Sequence, residues 1–343
     1  MDQNNYIGAM TLKAKIADIA KIAGLSVASV SRILNGRGRY SEETAKRVRQ
    51  IADDIGYYKN RSASDLARQS NNTFGVVYTN SETHFSEPLI KGIMGQAATD
   101  KLDVIIMIGK RDDEQGLTKI VQDMIERRVF GLLFLSIQPS QSIIDILNHA
   151  NIRALVVGSA TEHDVSYISS DDFQIGYQAT QFLIDKGYQR IGLAGMDVQR
   201  DYVGLQRYQG YRQALKEANM KAAEGLVHSG NFSYHSGITA ATYYTNEQSV
   251  DAVIGASDEV SLGLLNGFHD LGVQVPKQVG LISIDGTELC EQSRPKMTSV
   301  TQNFQLMGTR AVREFMALED SHNKIETVTI PFEIETRNTT KQD

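Results

Sequence analysis

From Thr73 onward, for more than two hundred residues, short apolar runs alternate with amphipathic stretches. The runs fall at residues 74–78, 104–108, 131–135, 154–157, 191–194, 252–255 and 279–284. Each is short for a helix and more continuous than a half-exposed strand, the pattern of strands buried on both faces. Between most of them lie stretches with helical periodicity, such as 117–128, 174–186 and 208–218. Strand and helix in turn predict an α/β body: parallel sheets, doubly wound, with helices on both faces. Two such halves, with the chain crossing between them near 165–175, place a ligand crevice outside the carboxyl ends of the strands. No solenoid-period repeat and no low-complexity tract interrupts this pattern.

The 343 residues are enough for two or three domains, and 41% apolar with 22% charged residues excludes a disordered or collagen-like chain. No apolar run reaches the ~18 residues of a transmembrane helix. Residues 1–10 are polar and lack a signal-peptide core, and the single cysteine, Cys290, has no internal partner. The expectation is a cytoplasmic protein with no membrane contact.

Ahead of the alternating region the character differs. Residues 1–70 hold 12 basic against 7 acidic residues, the remainder 23 against 34, so a net charge of −6 conceals a basic head on an acidic body. Any nucleic-acid contact is therefore expected on the head. Ile16, Ile19, Ala20 and Ala23 recur at helical spacing before a Gly24 stop; Ser26 is placed to cap a second helix, 27–34, and Ser41 a third, 42–55. Three short helices with a tight glycine-containing turn form a helix-turn-helix pattern, although a three-helix capping domain has the same outline. On a recognition helix Val27 and Ala28 suit thymine methyls, Ser29 and Ser31 suit backbone oxygens, and Arg32 suits guanine O6/N7.

The run Ala17-Asp18-Ile19-Ala20-Lys21-Ile22-Ala23-Gly24-Leu25-Ser26-Val27-Ala28-Ser29-Val30-Ser31-Arg32-Ile33-Leu34-Asn35-Gly36, continued through Ile55-Gly56-Tyr57 and Asn60-Arg61, resembles the head of the LacI/GalR family of transcriptional regulators. The resemblance extends through the body to near Arg337 and is closest to the catabolite control protein A-like and sugar-operon repressor branch. It implies a helix-turn-helix head at 10–59, a hinge helix or linker at 60–70, and a two-lobed periplasmic-binding-protein-like body at 71–343 for effector binding and dimerisation. The lobes would cross near 165–175 and 300–335. The implied DNA contacts are Ser26, Val27, Ala28, Ser29, Ser31, Arg32, Asn35, Asn60, Ala63 and Leu66. Leu66 would act as a minor-groove wedge in a hinge that folds on DNA; read from composition alone it is one hydrophobe in a polar linker. A homodimer would read a pseudo-palindromic operator with a central CG step. Residues 1–9 are either a cloning scar or a natural extension.

For the body the resemblance implies a small carbohydrate effector between the lobes. Arg207 would fork onto sugar hydroxyls, Asp285 would accept from two, and Phe232 would stack on a pyranose ring. Thr79, Phe85, Ser257, Asp258, Gln302 and Phe304 would complete the effector site. Several have a plainer alternative: Asp258 as a helix cap, Phe304 as core packing, Arg207 bridging surface acids, and Phe85 with His84 as passive packing rather than a relay between lobes. Gly158 stands where an acidic residue holds a hydroxyl in the lactose repressor. Arg294-Pro295 resembles the segment that holds a serine-phosphorylated phosphocarrier protein in the catabolite-control branch. Glu288 and Glu291 nearby would repel a phosphate, which favours a local sugar-operon repressor over the global regulator. The tail carries no leucine heptads, so a dimer is expected rather than a tetramer.

No nucleophile elbow, Walker loop or His-Glu-x-x-His occurs, and Gly36-Arg37-Gly38 follows a helix rather than a strand. The seven histidines show no metal-ligand spacing, and Asp171-Asp172 reads as a solvated helix N-terminus rather than a metal site. No catalytic residue, metal or cofactor is expected. The competing classes are a sugar-binding module without a DNA role and an enzyme on the same fold.

Overall fold

The computed structural model describes residues 14–34, 36–57, 72–79, 85–110, 113–221, 224–317 and 326–342. The chain divides into two compact units, residues 1–70 and 71–343, each taken by itself.

The first unit contains α1 (Ile16–Ala23), α2 (Val27–Leu34) and α3 (Glu42–Asp54). The Lys15 N–H donates to the Asp18 carboxylate at 2.8 Å to start α1. Gly24, at φ +66°, ends it in the left-handed region, and the Leu25 N–H reaches back to the Ala20 carbonyl at 3.0 Å. Ser26 Oγ accepts from the Ser29 N–H and Ser41 Oγ from the Thr44 N–H, the two caps expected from the sequence. Ile19, Val30 and Val48 are fully buried, with Ala20, Ala23, Ile33, Ala45 and Ala52 around them. The small residues let three short helices share one core.

The second unit runs β1 (Thr73–Thr79), α4 (Ser86–Thr99), β2 (Asp103–Gly109), α5 (Glu114–Glu126), β3 (Gly131–Leu135), α6 (Gln141–His149), β4 (Arg153–Val157) and β5 (Ser166–Ser169) through a first lobe. It continues as α7 (Asp172–Asp185), β6 (Ile191–Ala194), α8 (Tyr202–Glu217), β7 (Val227–His228), α9 (Tyr234–Asn246), β8 (Ala252–Gly255), α10 (Asp258–Asp270), β9 (Gly280–Asp285), α11 (Glu288–Gln292) and β10 (Thr298–Gln302) through a second. It returns to the first lobe with α12 (Phe304–Ala317) and β11 (Val328–Thr329), and to the second with β12 (Phe332–Glu335). All seven apolar runs are strands, within a residue at each end.

The sheet orders are β11-β5-β4-β3-β1-β2 and β12-β10-β9-β8-β6-β7, parallel except for β12, which is antiparallel to β10. The three crossings, β5 to α7, β10 to α12 and β11 to β12, all lie toward one edge of the body. Helices α4 and α12 pack together in the first lobe, α7 with α8 and α9 with α10 in the second. At the α7–α8 contact a methyl group on Gly176 would stand 2.0 Å from the Arg207 carbonyl oxygen, and one on Gly210 would stand 2.0 Å from that of Phe173. The two backbones touch there, which fixes α8 against the start of α7.

Candidate functional site

In the head, α2 buries only Val30 and Ile33 and leaves Ser26, Val27, Ala28 and Arg32 exposed. Val27 is 47% exposed, and Ile22 on the preceding helix 55%. Apolar side chains held out on the N-terminal turn of a helix, beside hydroxyls, suit contact with thymine methyls. Ser29 and Ser31 are half-buried; Ser29 is tied to Ser26 by a 2.9 Å hydroxyl contact. Arg32 folds back to donate to the Ala28 carbonyl at 3.3 Å. Arg47 donates to the Ala23 carbonyl and so braces the turn between α1 and α2. Asn35, Asn60, Ala63, Leu66 and His84 lie outside the described residues.

In the body, a cavity of about 520 Å³ lies between the lobes at the carboxyl ends of both sheets. Thr79, Phe85, Arg207, Phe232, Ser257, Asp285, Gln302 and Phe304 all line it. Arg207 is buried at the base. Its Nε donates to Asp172 Oδ1 at 2.9 Å and its Nη1 to the Ala256 carbonyl at 2.9 Å. Two of five N–H groups are thereby used, and the plane of the fork is set. Burial pushes the Asp172 carboxyl up from its ordinary range while Arg207 pulls it back. Asp285, which ends β9 at φ +116°, accepts from Gln302 Nε2 at 3.0 Å. Burial raises its carboxyl well above the usual range, the charge of Asp258 adds to that, and Arg207 opposes it. A non-glycine residue in that backbone region costs about 1–3 kcal/mol. Both the strain and the buried charge are retained at the cavity wall.

The aromatic residues are held as firmly. Phe232, at φ +66°, has its carbonyl fixed by a 3.0 Å bond from Ser257 Oγ, which also caps α10 through the Val260 N–H. Phe85 and Phe304 pack with ring centroids 5.2 Å apart. Phe304 is both core packing and cavity lining, so its two readings describe one position.

Two expectations are corrected. Asp258 does not line the cavity: its carboxylate is consumed inside the second lobe by Ser283 Oγ at 2.5 Å, the Thr287 N–H at 2.6 Å and Cys290 Sγ at 3.1 Å. Nor does it cap α10, a role taken by Ser257. Asp172 is not a solvated helix start; Asp171 caps α7 through the Gln174 N–H at 3.0 Å, while Asp172 turns inward to Arg207. Among the described residues no group of three or more His, Cys, Asp or Glu is placed to hold a metal ion, and no helix is long and apolar enough to cross a membrane.

Other lining residues were not singled out from the sequence. Ser136 and Ser159 follow β3 and β4, and each has a buried hydroxyl with no hydrogen-bond partner among the described residues. Gly158 sits between them in the chain fold at φ +86°; a methyl group there would stand 3.0 Å from Leu89 Cδ1 and 3.1 Å from Ser136 Oγ. Any side chain there would need those neighbours to give by a few tenths of an ångström, on a backbone that L residues rarely adopt. Asn231 accepts from Ser233 and Ser236 hydroxyls at 2.6 and 2.7 Å and supports the loop that carries Phe232.

Residues 15–60 match the model of bacterial regulatory proteins of the lacI family, and residues 180–340 a periplasmic binding protein-like domain. The chain is 32% identical over 305 residues to the HTH-type transcriptional regulator CelR of Thermobifida fusca, covering 86% of this chain and 88% of that one. It is 28% identical over 335 residues to the catabolite control protein A of Priestia megaterium, covering 96% and 100%. Its fold superposes on a CelR–cellobiose complex with a TM-score of 0.71 at 26% identity, covering 95% of this chain and all of the other.

Proposed function

The chain belongs to the lacI family of bacterial regulatory proteins and is a DNA-binding transcriptional regulator; from that premise we propose that it represses a carbohydrate-utilisation operon and is switched by a sugar held between its lobes. It acts in the cytoplasm, by binding and not by catalysis. The head at 10–59 and hinge at 60–70 contact a pseudo-palindromic operator through Ser26, Val27, Ala28, Ser29, Ser31, Arg32 and Asn35, with Asn60, Ala63 and Leu66 from the hinge. The body at 71–343 takes the effector and forms the homodimer. An exposed edge strand supports the second copy: β2 ends its sheet and leaves Ile106 and Ile108 40% and 57% exposed.

The observation that carries the sugar reading is the buried pairing of Arg207 with Asp172 and of Asp285 with Gln302 in one cavity. The fork has N–H groups to spare and the carboxylate a second oxygen, donor and acceptor together, which suits neutral polyols better than ions. The relative's complex with cellobiose agrees with this. Sugar would shift the lobes only through its differential affinity for their two arrangements.

A thermal-shift screen with mono- and disaccharides, their phosphates and a serine-phosphorylated phosphocarrier protein tests it, followed by operator binding by fluorescence anisotropy. A sugar that raises Tm by several degrees and changes operator affinity supports the reading. A shift from the carrier alone overturns it in favour of global catabolite control. The surface argues against the carrier, since Arg294 is turned onto the carbonyls of Glu291, Gln292 and Ser293 at 3.0, 3.2 and 2.7 Å. Glu291 beside it, held down to about 2 by Lys296 and Arg337, keeps its negative charge.

A further inference from the structure

We propose that His228 makes one wall of the cavity sensitive to acidity. Neutral, it is a positioning residue that keeps the loop of Asn231 and Phe232 docked on β6; protonated, it releases that loop. Both loop residues line the cavity, so the proposal rests on that cavity being the effector site.

His228 ends β7, a strand of two residues at the outer edge of the second sheet. Its imidazole is half-buried against α9, with ring centroids 5.0 Å from Tyr243 and 6.4 Å from Tyr244. Three backbone bonds tie the chain from this point to the end of β6. The His228 carbonyl accepts from the Gly195 N–H at 2.9 Å, and the Gly230 N–H donates to the Met196 carbonyl at 3.3 Å. The Phe232 N–H donates to the Gly195 carbonyl at 2.8 Å. A methyl group on Gly230 would stand 2.7 Å from Gly195 Cα, so the two segments meet with no side chain between them. A short edge strand held this way opens at little cost, and any shift of it passes along one brief loop to Phe232.

The ring nitrogens separate the two states. Nδ1 is buried and has no hydrogen-bond partner among the described residues. A neutral imidazole with its proton on Nε2 leaves only a lone pair there. An imidazolium places an N–H at the same point with nothing to accept it. The hydroxyls nearby are committed elsewhere: Tyr243 donates to the Gly225 carbonyl at 3.0 Å, and Tyr244 stands 3.0 and 2.9 Å from the carbonyls of Leu193 and Leu226. Among the described side chains, the charge that reaches the ring is that of Glu247, just past the end of α9. From β6, Leu193 and Ala194 lie beside β7, and neither titrates. Burial holds the imidazole below its ordinary value of 6.5, opposed by Glu247 and by the Ser229 backbone, which makes no bond to Nδ1. Between that lowered value and the ordinary one, an opened loop binds a proton that the docked loop does not. Docking therefore weakens as pH falls through this window.

Hydrogen exchange of the ligand-free full chain at about pH 7.5 and about pH 5.5 tests the proposal. It is read by mass spectrometry on peptides over 227–233 and 252–255, corrected for the intrinsic exchange rate at each pH. Protection over 227–233 is expected to fall about tenfold, the most that one histidine gives one unit below its ordinary value. Protection over 252–255, in the centre of the same sheet, is expected to hold. His228→Phe is expected to keep 227–233 level within about twofold, and His228→Gln, polar but uncharged, to do the same. If His228→Phe does not melt cooperatively, His228→Gln decides alone. Level protection in the unaltered chain overturns the proposal. So does a loss that persists without the imidazole, which belongs to another titrating group. A loss shared equally by 252–255 is unfolding of the whole lobe and overturns it too. No sugar enters these measurements, so the carbohydrate reading is judged apart from them.

Discussion

On the second-lobe side of the cavity, Arg207 is tied to Asp172, Asp285 to Gln302, and Phe232 to Ser257, each before any ligand arrives. On the first-lobe side, Ser136 and Ser159 present hydroxyls with no partner among the described residues, beside Thr79 and Phe85. The strand orders match, yet one wall is built of preset charges and the other of small groups still waiting for a bond. A buried hydroxyl left unmade costs about 1–3 kcal/mol. The second lobe is therefore suited to grip a polyol first, and the first lobe gains only when it closes on one. That difference is what lets a ligand favour one arrangement of the lobes over another.

The sharpest test of this asymmetry is Arg207→Ala. It removes the fork and strands the buried Asp172 charge, so sugar affinity should fall more than about 100-fold and stability by about 3–5 kcal/mol, a Tm loss near 10 °C. Adding Asp172→Asn should restore much of the Tm by calorimetry and none of the binding. Next is Asp285→Asn, which keeps the acceptor for Gln302, removes a disfavoured buried charge and places a residue more tolerant of positive φ. Tm should rise about 2–5 °C while sugar affinity drops about 30-fold. A Tm that falls instead would remove the idea that this wall stores instability for function.

The pH dependence follows from the same group. The carboxyl of Asp285 is raised by burial in the folded chain, so between the ordinary carboxylate range and that raised value the native state holds the extra proton. Stability from this group therefore rises as pH falls from neutrality toward about 4, and the Tm advantage of Asp285→Asn should shrink over that window. Sugar affinity of the unaltered chain should weaken over the same window, because the protonated acid accepts less well. The smallest effect belongs to the opposite wall: Ser159→Ala should cost about two- to threefold in affinity with little change in Tm, read by titration and calorimetry. A loss comparable to Arg207→Ala would erase the contrast between the walls.

Much of the fold was legible because its signals are local. The seven apolar runs and the capped head helices need only neighbouring residues to declare themselves. The strands 166–169, 227–228, 298–302, 328–329 and 332–335 were not read, being short or rich in Ser and Thr and placed mostly toward the sheet edges. They are strands because an adjacent strand offers them partners. Eight body residues carried over by resemblance do meet at the cavity, but Asp172 was misread, since its partner lies 35 positions away and is delivered by the contact at Gly176 and Gly210. Asp258 shows the converse: a residue beside a cavity-lining one, turned inward by Ser283, Thr287 and Cys290. Ser136 and Ser159 carry side chains too common to stand out, and only burial without a partner marks them.

The return of α12 and β11 to the first lobe sets an order of events during synthesis. Five strands of that lobe are complete once residue 169 has been made, but the helix that packs on α4 begins at Phe304, 135 residues later. At about 5–20 residues per second, the growing chain waits roughly 7–27 s with one face of its first sheet covered by α4 without α12. The second lobe, contiguous from Asp172 to Gln302 apart from β12 and the Thr339 contact, is nearly whole before that cover arrives. On the ribosome, the lobe begun first waits longest for its cover, and the two lobes are closed within a few residues of each other by β11 and β12.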